Sequence, residues 1–129
     1  MAFTRPADLP AMHTYRILDQ NGKVVDSSRP DLEISDEMVL KMYKDMLTIG
    51  VMDPIMYQAQ RQGRLSFYMV SAGEEGIAVG SAMALTPDDV IFAQYREAGV
   101  FKARGFTLED FMSQLFANKN DVGLSLIHI

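Results

Sequence analysis

Cysteine and tryptophan are absent from this 129-residue sequence, and histidine occurs only twice, at His13 and His128. The absence of cysteine excludes disulfides, thiolate metal sites and cysteine nucleophiles, and it is typical of a reducing compartment. Because the two histidines lie far apart in apparently peripheral segments, the sequence does not favour a Ser-His-Asp triad. No apolar run approaches the roughly 20 residues that a membrane helix needs, so we expect no membrane partner.

Positive charge is also scarce, since 12 lysines and arginines face 17 acidic residues and leave a formal net charge of -5. Binding to nucleic acid of the general electrostatic kind needs a basic face, so we expect no nucleic-acid partner and only local anion sites. The composition is otherwise that of one globular domain. Residues 1–13 contain two prolines and no apolar core of signal-peptide length, and they are interpreted as an irregular N-terminal arm.

The first half of the chain predicts a hairpin followed by a long helix. Asn21-Gly22 lies between apolar residues and favours a type I′ turn, and Ser35 is a candidate N-cap for a helix that should end near Gly63. Pro54 interrupts this helix, and we expect a kink or break at about residues 51–53. Apolar residues recur along it at helical spacing: Val39, Met42, Tyr43, Met46, Ile49, Met52 and Met56. The methionines could line an adaptable groove, but this spacing favours core packing.

The second half predicts three shorter helices and one strand. A helix rich in glycine and alanine should run from Glu74 to Ala84, where its small residues allow close approach of another backbone. The apolar segment "DVIFA" after Pro87 is predicted to be a strand, and two helices follow, the second capped by Thr107 with Asp110. The pattern indicates an α/β fold with a single core strand. The chain is therefore either mostly helical or the front part of a larger α/β domain.

Tyr95 and Arg96 follow the predicted strand directly and are the first candidates for ligand binding. The guanidinium fork of arginine matches two phosphate oxygens, and the tyrosine hydroxyl can donate beside it. Open α/β sheets usually bind ligands where a strand gives way to a helix. The alternative is an ordinary surface pair in which Arg96 contacts an acid such as Glu97 or Asp89.

Three further pairs have both a functional and a structural interpretation: Arg61 with Arg64, Phe67 with Tyr68, and Glu74 with Glu75. The arginines could bind phosphate or cap a helix C-terminus, and capping is favoured. The aromatic pair could line a substrate pocket or belong to the core. The acids could act in acid–base chemistry, although two acids that open a helix are typical of a favourable dipole interaction.

In combination and in order, these segments resemble a known family. The stretches "RQGRLSFYMVSAGEEGIAVGSAMAL" and "DVIFAQYREAGVFKARGFTLEDFMSQLFAN" are similar to the alpha chain of the thiamine diphosphate-dependent decarboxylating component of the branched-chain 2-oxo acid dehydrogenase complex. The similarity covers residues 14–123 and implies the N-terminal, mostly helical part of a thiamine diphosphate-binding α/β fold, truncated before most of its sheet. "GEEG" and "YREAG" are closer to branched-chain enzymes than to pyruvate enzymes.

The resemblance also implies roles for individual residues. Tyr95 and Arg96 match the pair that contacts the diphosphate of the cofactor, and Gln94 lies next to that site. Phe67 matches a residue beside the branched side chain of the substrate. No catalytic residue and no metal ligand is assigned within this chain, because the family's magnesium ligands lie farther along the subunit.

For the parent protein, the resemblance implies oxidative decarboxylation of branched-chain 2-oxo acids such as 3-methyl-2-oxobutanoate, with acyl transfer to a lipoyl group. The implied partners are a beta chain, in a heterotetramer (α2β2), and a lipoyl-bearing transacylase core, all in the mitochondrial matrix. By itself this chain is expected to be inactive. The alternatives are a pyruvate or acetoin dehydrogenase alpha chain, or a non-catalytic helical interaction module.

Two features depart from the family pattern. Pro54 occupies a position where a helix-compatible residue is expected. The last six residues, "LSLIHI", are a direct translation of CTG TCT CTT ATA CAC ATC, the transposon end sequence used in sequencing libraries. We therefore hypothesise that residues 124–129 are a non-native tail, and that the family's magnesium and diphosphate motif would follow Gly123.

Overall fold

The computed structural model describes residues 5–28 and 34–121. The chain divides into two units, residues 1–33 and 34–129. In the first unit, the predicted irregular arm contains a single 3-10 turn at Pro6–Asp8, and the predicted hairpin consists of one antiparallel bridge between Leu18 and Val24. The hypothesised tail, residues 124–129, lies outside the described residues.

The turn of this hairpin differs from the predicted type I′ turn. Gly22 has a φ of 76°, but Ala117 is the one non-glycine with positive φ among the described residues, and a type I′ turn requires positive φ at both central positions. The carboxylate of Asp19 accounts for the difference, because its Oδ1 accepts hydrogen bonds from the backbone N–H of Asn21 at 2.8 Å and of Lys23 at 2.9 Å. Aspartate commonly forms such local turns.

The second unit begins with helix α1, Asp36–Arg61, a 26-residue helix. Its N-cap is Ser35, whose side chain accepts a hydrogen bond from the backbone N–H of Met38, and the chain leaves it at Gly63 with a φ of 75°, so both predicted ends are confirmed. Of the kink or break expected at residues 51–53, the break is wrong, because α1 continues through Pro54, and the kink stays a prediction. A proline costs the helix one hydrogen bond, which the packing of the surrounding turns outweighs here.

Three short helices follow: α2, Glu75–Met83, α3, Ala98–Ala103, and α4, Leu108–Leu115. The predicted mostly helical character is therefore confirmed, and the predicted helix 74–84 differs from α2 by one residue at each end. The predicted "DVIFA" strand is wrong, since residues 89–93 have no regular secondary structure. A strand needs a neighbour to accept its backbone hydrogen bonds, and the described part of the chain places none beside it.

Two apolar clusters form the core of the second unit. The first joins α1 to α4 and to the segment after α1, and the second joins α2 to α3. Their buried members are Ile49, Met52, Met56, Leu65, Tyr68 and Phe111 in the first, and Ala78, Val79, Ala82, Val100 and Ala103 in the second. Met42 and Met46 pack against the second cluster, so core packing is confirmed for Met42, Met46, Met52 and Met56, whereas Met38 is exposed. Val39 and Tyr43, by contrast, are 49% and 58% exposed.

The expected close approach at the small residues of α2 is confirmed. A Cβ atom added to Gly99 of α3 would lie 2.9 Å from the Cβ of Ala78 and 3.2 Å from a methyl group of Val79. Atoms separated by 2.9 Å would clash, so glycine allows the backbone of α3 to pack directly on α2. This contact fixes the position of the residues that immediately precede α3.

Buried Asp45 links α1 to α3. Its carboxylate lies 2.6 Å from the Nζ of Lys41 and 3.4 Å from the Nζ of Lys102, and Lys41 also donates to the carbonyl of Ala103 at 3.1 Å. The hydrogen bond from Lys41 to the Ala103 carbonyl satisfies a group at the C-terminal end of α3, where carbonyls lack helical partners. These contacts tie the C-terminal end of α3 to α1.

Helix α4 has the predicted capping box. The backbone N–H of Thr107 donates to Asp110 Oδ2 at 2.8 Å, and the backbone N–H of Asp110 donates to Thr107 Oγ1 at 3.1 Å. The hydrogen bonds from the Thr107 side chain and backbone lower the pKa of the Asp110 carboxyl group. Because the folded-state pKa is the lower one, this contribution to stability is present above the unfolded-state pKa and is lost as the pH falls through the folded-state value.

Replacing Thr107 by alanine should lower the free energy of unfolding by about 0.5 to 2 kcal/mol, because the backbone N–H of Asp110 loses its acceptor and the Asp110 carboxylate loses the hydroxyl that donates to it. Urea denaturation at neutral pH measures this loss. Thr48→Ala is the matched control, since Thr48 lies inside α1 and its hydroxyl donates to the carbonyl of Lys44, where alanine is a good helix former. Equal losses in both variants would contradict the capping role.

Candidate functional site

The turn that carries Tyr95 and Arg96 lies immediately before α3. The backbone N–H of Glu97 donates to the carbonyl of Gln94 at 3.2 Å, and the Glu97 carboxylate accepts a hydrogen bond from the backbone N–H of Gln94. These two contacts close residues 94–97 into a compact turn. The side chains of Tyr95 and Arg96 therefore extend from the start of a helix, as the sequence predicts, although an irregular segment precedes them in place of a strand.

The structure brings Phe67 and Tyr95 together. Their rings meet edge to face with centroids 5.5 Å apart and planes at 87°, a geometry that aromatic pairs prefer. Both lie on an open pocket of about 320 Å³ that Gln94 also lines, with Phe111 on its floor from the core. Phe67 is 50% exposed and Tyr95 is 59% exposed, so both rings remain accessible to a ligand.

Arg96 lies at the rim of the same turn. Its Cζ is 5.9 Å from the centroid of the Tyr95 ring, and Nη1 is 4.0 Å from a carboxylate oxygen of Glu74. The expected alternative partners were Glu97 and Asp89, but these acids contact Gln94 and Thr86. The separation from Glu74 is at the outer limit of an ion pair, and the Arg96 side chain is 46% exposed, so its donors are available to an anion.

Tyr68, the neighbour of Phe67, has a buried hydrogen-bonding partner that the sequence does not reveal. Its hydroxyl donates to Asp53 Oδ1 at 2.7 Å, and Asp53 Oδ2 accepts from the backbone N–H of Ser71 at 2.7 Å and from its hydroxyl at 3.1 Å. Burial, and then the hydrogen bond to Asp53, raise the pKa of the Tyr68 hydroxyl. The phenol therefore stays protonated and continues to donate. Both residues of this pair line the pocket, but Tyr68 is 9% exposed and belongs to the core, whereas Phe67 is 50% exposed.

Arg104, the other arginine of this region, has a structural role. Its guanidinium donates to the carbonyls of Thr86, Pro87 and Asp89 at 2.6, 2.7 and 2.9 Å. Three acceptors on one loop satisfy much of the arginine fork, which has five donors. Arg104 therefore anchors the loop after α2 to the end of α3 and is not available to a ligand in this arrangement.

The remaining candidate pairs lie at helix ends. Arg61 is in the last turn of α1, where a positive charge interacts favourably with the helix dipole. Glu75 is in the first turn of α2, and its Oε2 accepts a hydrogen bond from the backbone N–H of Gly73 at 2.9 Å. These positions agree with the structural interpretation of both pairs, and only Glu74, through Arg96, approaches the candidate site.

The site suits one end of an anionic ligand with an aromatic or apolar body. It offers the guanidinium of Arg96 and the hydroxyl of Tyr95 for phosphate oxygens, and the ring of Phe67 beside an open cavity. Among residues 5–28 and 34–121, no three carboxylate or imidazole side chains are grouped to hold a metal ion.

Sequence comparison gives the family of this chain. The model of the dehydrogenase E1 component matches residues 43–127. The chain belongs to the dehydrogenase E1 component family.

Curated relatives are identical to this chain at about half of the aligned positions. It is 51% identical over 121 residues to "2-oxoisovalerate dehydrogenase subunit alpha 2, mitochondrial" of Arabidopsis thaliana, covering 94% of this chain and 25% of the relative. It is 52% identical over 116 residues to the corresponding alpha subunit of Caenorhabditis elegans, covering 90% and 27%, and 46% identical over 123 residues to that of Homo sapiens, covering 95% and 27%. The resemblance to branched-chain alpha chains is confirmed, and the chain spans about a quarter of these relatives.

No helix in the described ranges is both long and apolar enough to cross a membrane.

Proposed function

We propose that this chain is the N-terminal part of the alpha subunit of a 2-oxoisovalerate dehydrogenase, a thiamine diphosphate-dependent enzyme that oxidatively decarboxylates branched-chain 2-oxo acids and transfers the acyl group to a lipoyl arm. The observation that carries the proposal is the turn at residues 94–97, which presents Tyr95 and Arg96 beside Phe67. Similarity to three alpha subunits of that name supports it.

In this proposal the residues of the chain bind and orient, and the cofactor, when bound, supplies the carbon nucleophile and the electron sink of the decarboxylation. Arg96 and Tyr95 donate hydrogen bonds to the diphosphate, and Gln94 lines the adjoining wall. Phe67 contacts the branched side chain of the substrate. A diphosphate held at one end of the cofactor orients the whole molecule, which is how a binding residue contributes to rate without touching the reacting atoms.

The proposal extends to the parent protein and its surroundings. The parent has an α/β fold whose sheet is built from residues outside this chain, and a beta chain completes the cofactor site in a heterotetramer. A lipoyl-bearing transacylase core accepts the acyl group, and the assembly works in the mitochondrial matrix. The exposure of Val90 and Phe92, 80% and 97%, supports a missing neighbour, because large apolar side chains rarely stand this exposed in a complete domain.

The experiment is a substrate profile of the full-length alpha subunit carrying this sequence, assembled with its beta chain and supplied with thiamine diphosphate, magnesium and a lipoyl domain. We expect kcat/KM to be higher for 3-methyl-2-oxobutanoate than for pyruvate. A preference for pyruvate would instead support a pyruvate dehydrogenase, and acetoin cleavage would support an acetoin dehydrogenase. Failure to bind the cofactor at all would support a non-catalytic interaction module.

Phe67→Ala in the same enzyme should lower the ratio of kcat/KM for 3-methyl-2-oxobutanoate over pyruvate by about tenfold, because an apolar wall beside the substrate side chain is removed. The dissociation constant of thiamine diphosphate should stay unchanged. Phe116→Ala is the matched control, since Phe116 is likewise 50% exposed but does not line this pocket. An unaltered ratio in Phe67→Ala would remove Phe67 from the substrate site.

A further inference from the structure

The segment that carries Phe67 is irregular, so something other than secondary structure must hold it in place. Residues 65–71 lie between α1 and α2 and form neither helix nor strand. Leu65 and Tyr68 anchor the segment through burial in the first core cluster. Burial alone does not fix the direction in which the exposed Phe67 ring points, because apolar contacts are not directional.

Directional contacts come from Asp53. This residue is only 4% exposed, and its two carboxylate oxygens accept three hydrogen bonds from the segment, one from Tyr68 and two from Ser71. All three hydrogen bonds come from residues that follow Phe67, and one side chain of α1 accepts them. They therefore attach this part of the segment to α1. A buried carboxylate with this many donors is well satisfied, and losing one partner in such a place is costly.

We propose that Asp53 is a positioning residue for the substrate pocket: through Tyr68 and Ser71 it holds the Phe67 ring against Tyr95 and so sets the shape of the wall that meets the substrate side chain. The proposal rests on the proposed function for the identity of the substrate. The hydrogen bonds by which Asp53 holds the segment lie within this chain and do not depend on that function.

Asparagine at position 53 provides a sharp test, because it keeps the shape of aspartate but replaces one acceptor oxygen by an NH₂ donor. The Ser71 N–H still needs an acceptor, so the asparagine Oδ1 should face Ser71 and its NH₂ group should face the Tyr68 hydroxyl. Asp53→Asn therefore removes the negative charge and replaces the charge-assisted bond from Tyr68 by a weaker neutral one in which the hydroxyl accepts. In the assembled full-length enzyme we expect KM for 3-methyl-2-oxobutanoate to rise by about tenfold, with kcat nearly unchanged, the signature of a lost contact shared by ground and transition states. Tyr68→Phe removes one of the three bonds and should shift KM in the same direction by less.

Asp45→Asn is the matched control. Asp45 lies on the same helix and is 6% exposed, but its partners are Lys41 and Lys102. A purely structural role for Asp53 predicts that both asparagine variants reduce the amount of active enzyme while leaving KM alike. The positioning role predicts a rise in KM in Asp53→Asn and Tyr68→Phe and none in Asp45→Asn.

Amide hydrogen exchange is a second measurement, and it does not depend on enzyme activity. In the full-length subunit, peptides that cover residues 65–71 should exchange faster in Asp53→Asn and Tyr68→Phe than in wild type, and at the wild-type rate in Asp45→Asn. If Asp53→Asn exchanges faster but keeps the wild-type KM, Asp53 does not position the substrate pocket. If its exchange is unchanged, Asp53 does not hold the segment. A wild-type enzyme that does not process 2-oxo acids would overturn the proposed function, and the exchange data would then decide the role of Asp53 in holding the segment.

Discussion

Replacing Phe111 by alanine should lower the free energy of unfolding by about 3 to 5 kcal/mol, the range found when a buried phenylalanine is truncated. Phe111 is 4% exposed, and it packs edge to face with Phe106 at 4.9 Å between centroids. It lies in the first core cluster, which joins α4 to α1. Since small domains are stable by only about 5 to 15 kcal/mol, the variant should unfold at a much lower urea concentration.

Phe116→Ala is the control for this experiment, because Phe116 ends the same helix and is 50% exposed. We expect a change within about 0.5 kcal/mol, as for most surface substitutions. The measurement is the urea midpoint of each variant by circular dichroism. Similar midpoints for Phe111→Ala and Phe116→Ala would mean that Phe111 is not part of the core that supports the pocket.

Replacing Arg96 by alanine in the assembled full-length enzyme should weaken thiamine diphosphate binding by roughly ten- to a hundredfold. This is the loss of a charge-assisted interaction worth ~1.5 to 3 kcal/mol. Saturating cofactor should restore much of the activity, because Arg96 binds the diphosphate and does not touch the reacting carbon. Arg96→Lys keeps the positive charge but loses the planar fork, so its affinity should lie between those of wild type and alanine.

The Arg96 and Phe67 variants separate the two halves of the pocket. Arg96→Ala should change the affinity for the cofactor and leave the ratio of kcat/KM between 2-oxo acids intact, whereas Phe67→Ala should do the reverse. The Phe67 ring and the Arg96 guanidinium lie on adjoining walls of the candidate site, since Tyr95 contacts both residues. A variant that changed both properties equally would indicate that the turn had collapsed.

Local signals in the sequence predict the helices of the second unit well. Ser35 and Thr107 provide N-cap oxygens that are recognisable from sequence, and both make the expected hydrogen bonds. Gly63 provides the positive φ at which α1 ends. Such features depend on residues within four positions of each other, so no knowledge of the tertiary structure is needed to find them.

Features that depend on distant partners were missed or wrongly predicted. The apolar character of residues 90–93 is typical of a strand, but a strand forms only where another strand accepts its hydrogen bonds. Likewise, Asp53 and Tyr68 are 15 positions apart, so no local pattern shows that their side chains meet. An aspartate one residue before Pro54, in a helix with buried neighbours, is the one signal that could have directed attention to it.

The ligand roles of Phe67, Tyr95 and Arg96 remain predictions from the family resemblance. The edge-to-face contact of Phe67 with Tyr95 at 5.5 Å and the contact of Arg96 with Glu74 were not predicted from the sequence. Glu74 precedes α2, and its position relative to Arg96 depends on how α3 packs against α2 through Gly99. Packing of this kind is a tertiary property that residue types alone do not determine.

The central claim is that the Tyr95–Arg96 turn binds the diphosphate of thiamine diphosphate, and one titration tests it most directly. Thiamine diphosphate is titrated into wild-type and Arg96→Ala full-length enzyme, each assembled with its beta chain and magnesium, and the two dissociation constants are compared. We predict that the constant for Arg96→Ala is larger by roughly ten- to a hundredfold. Equal constants for the two proteins would contradict the assignment of this turn to the cofactor.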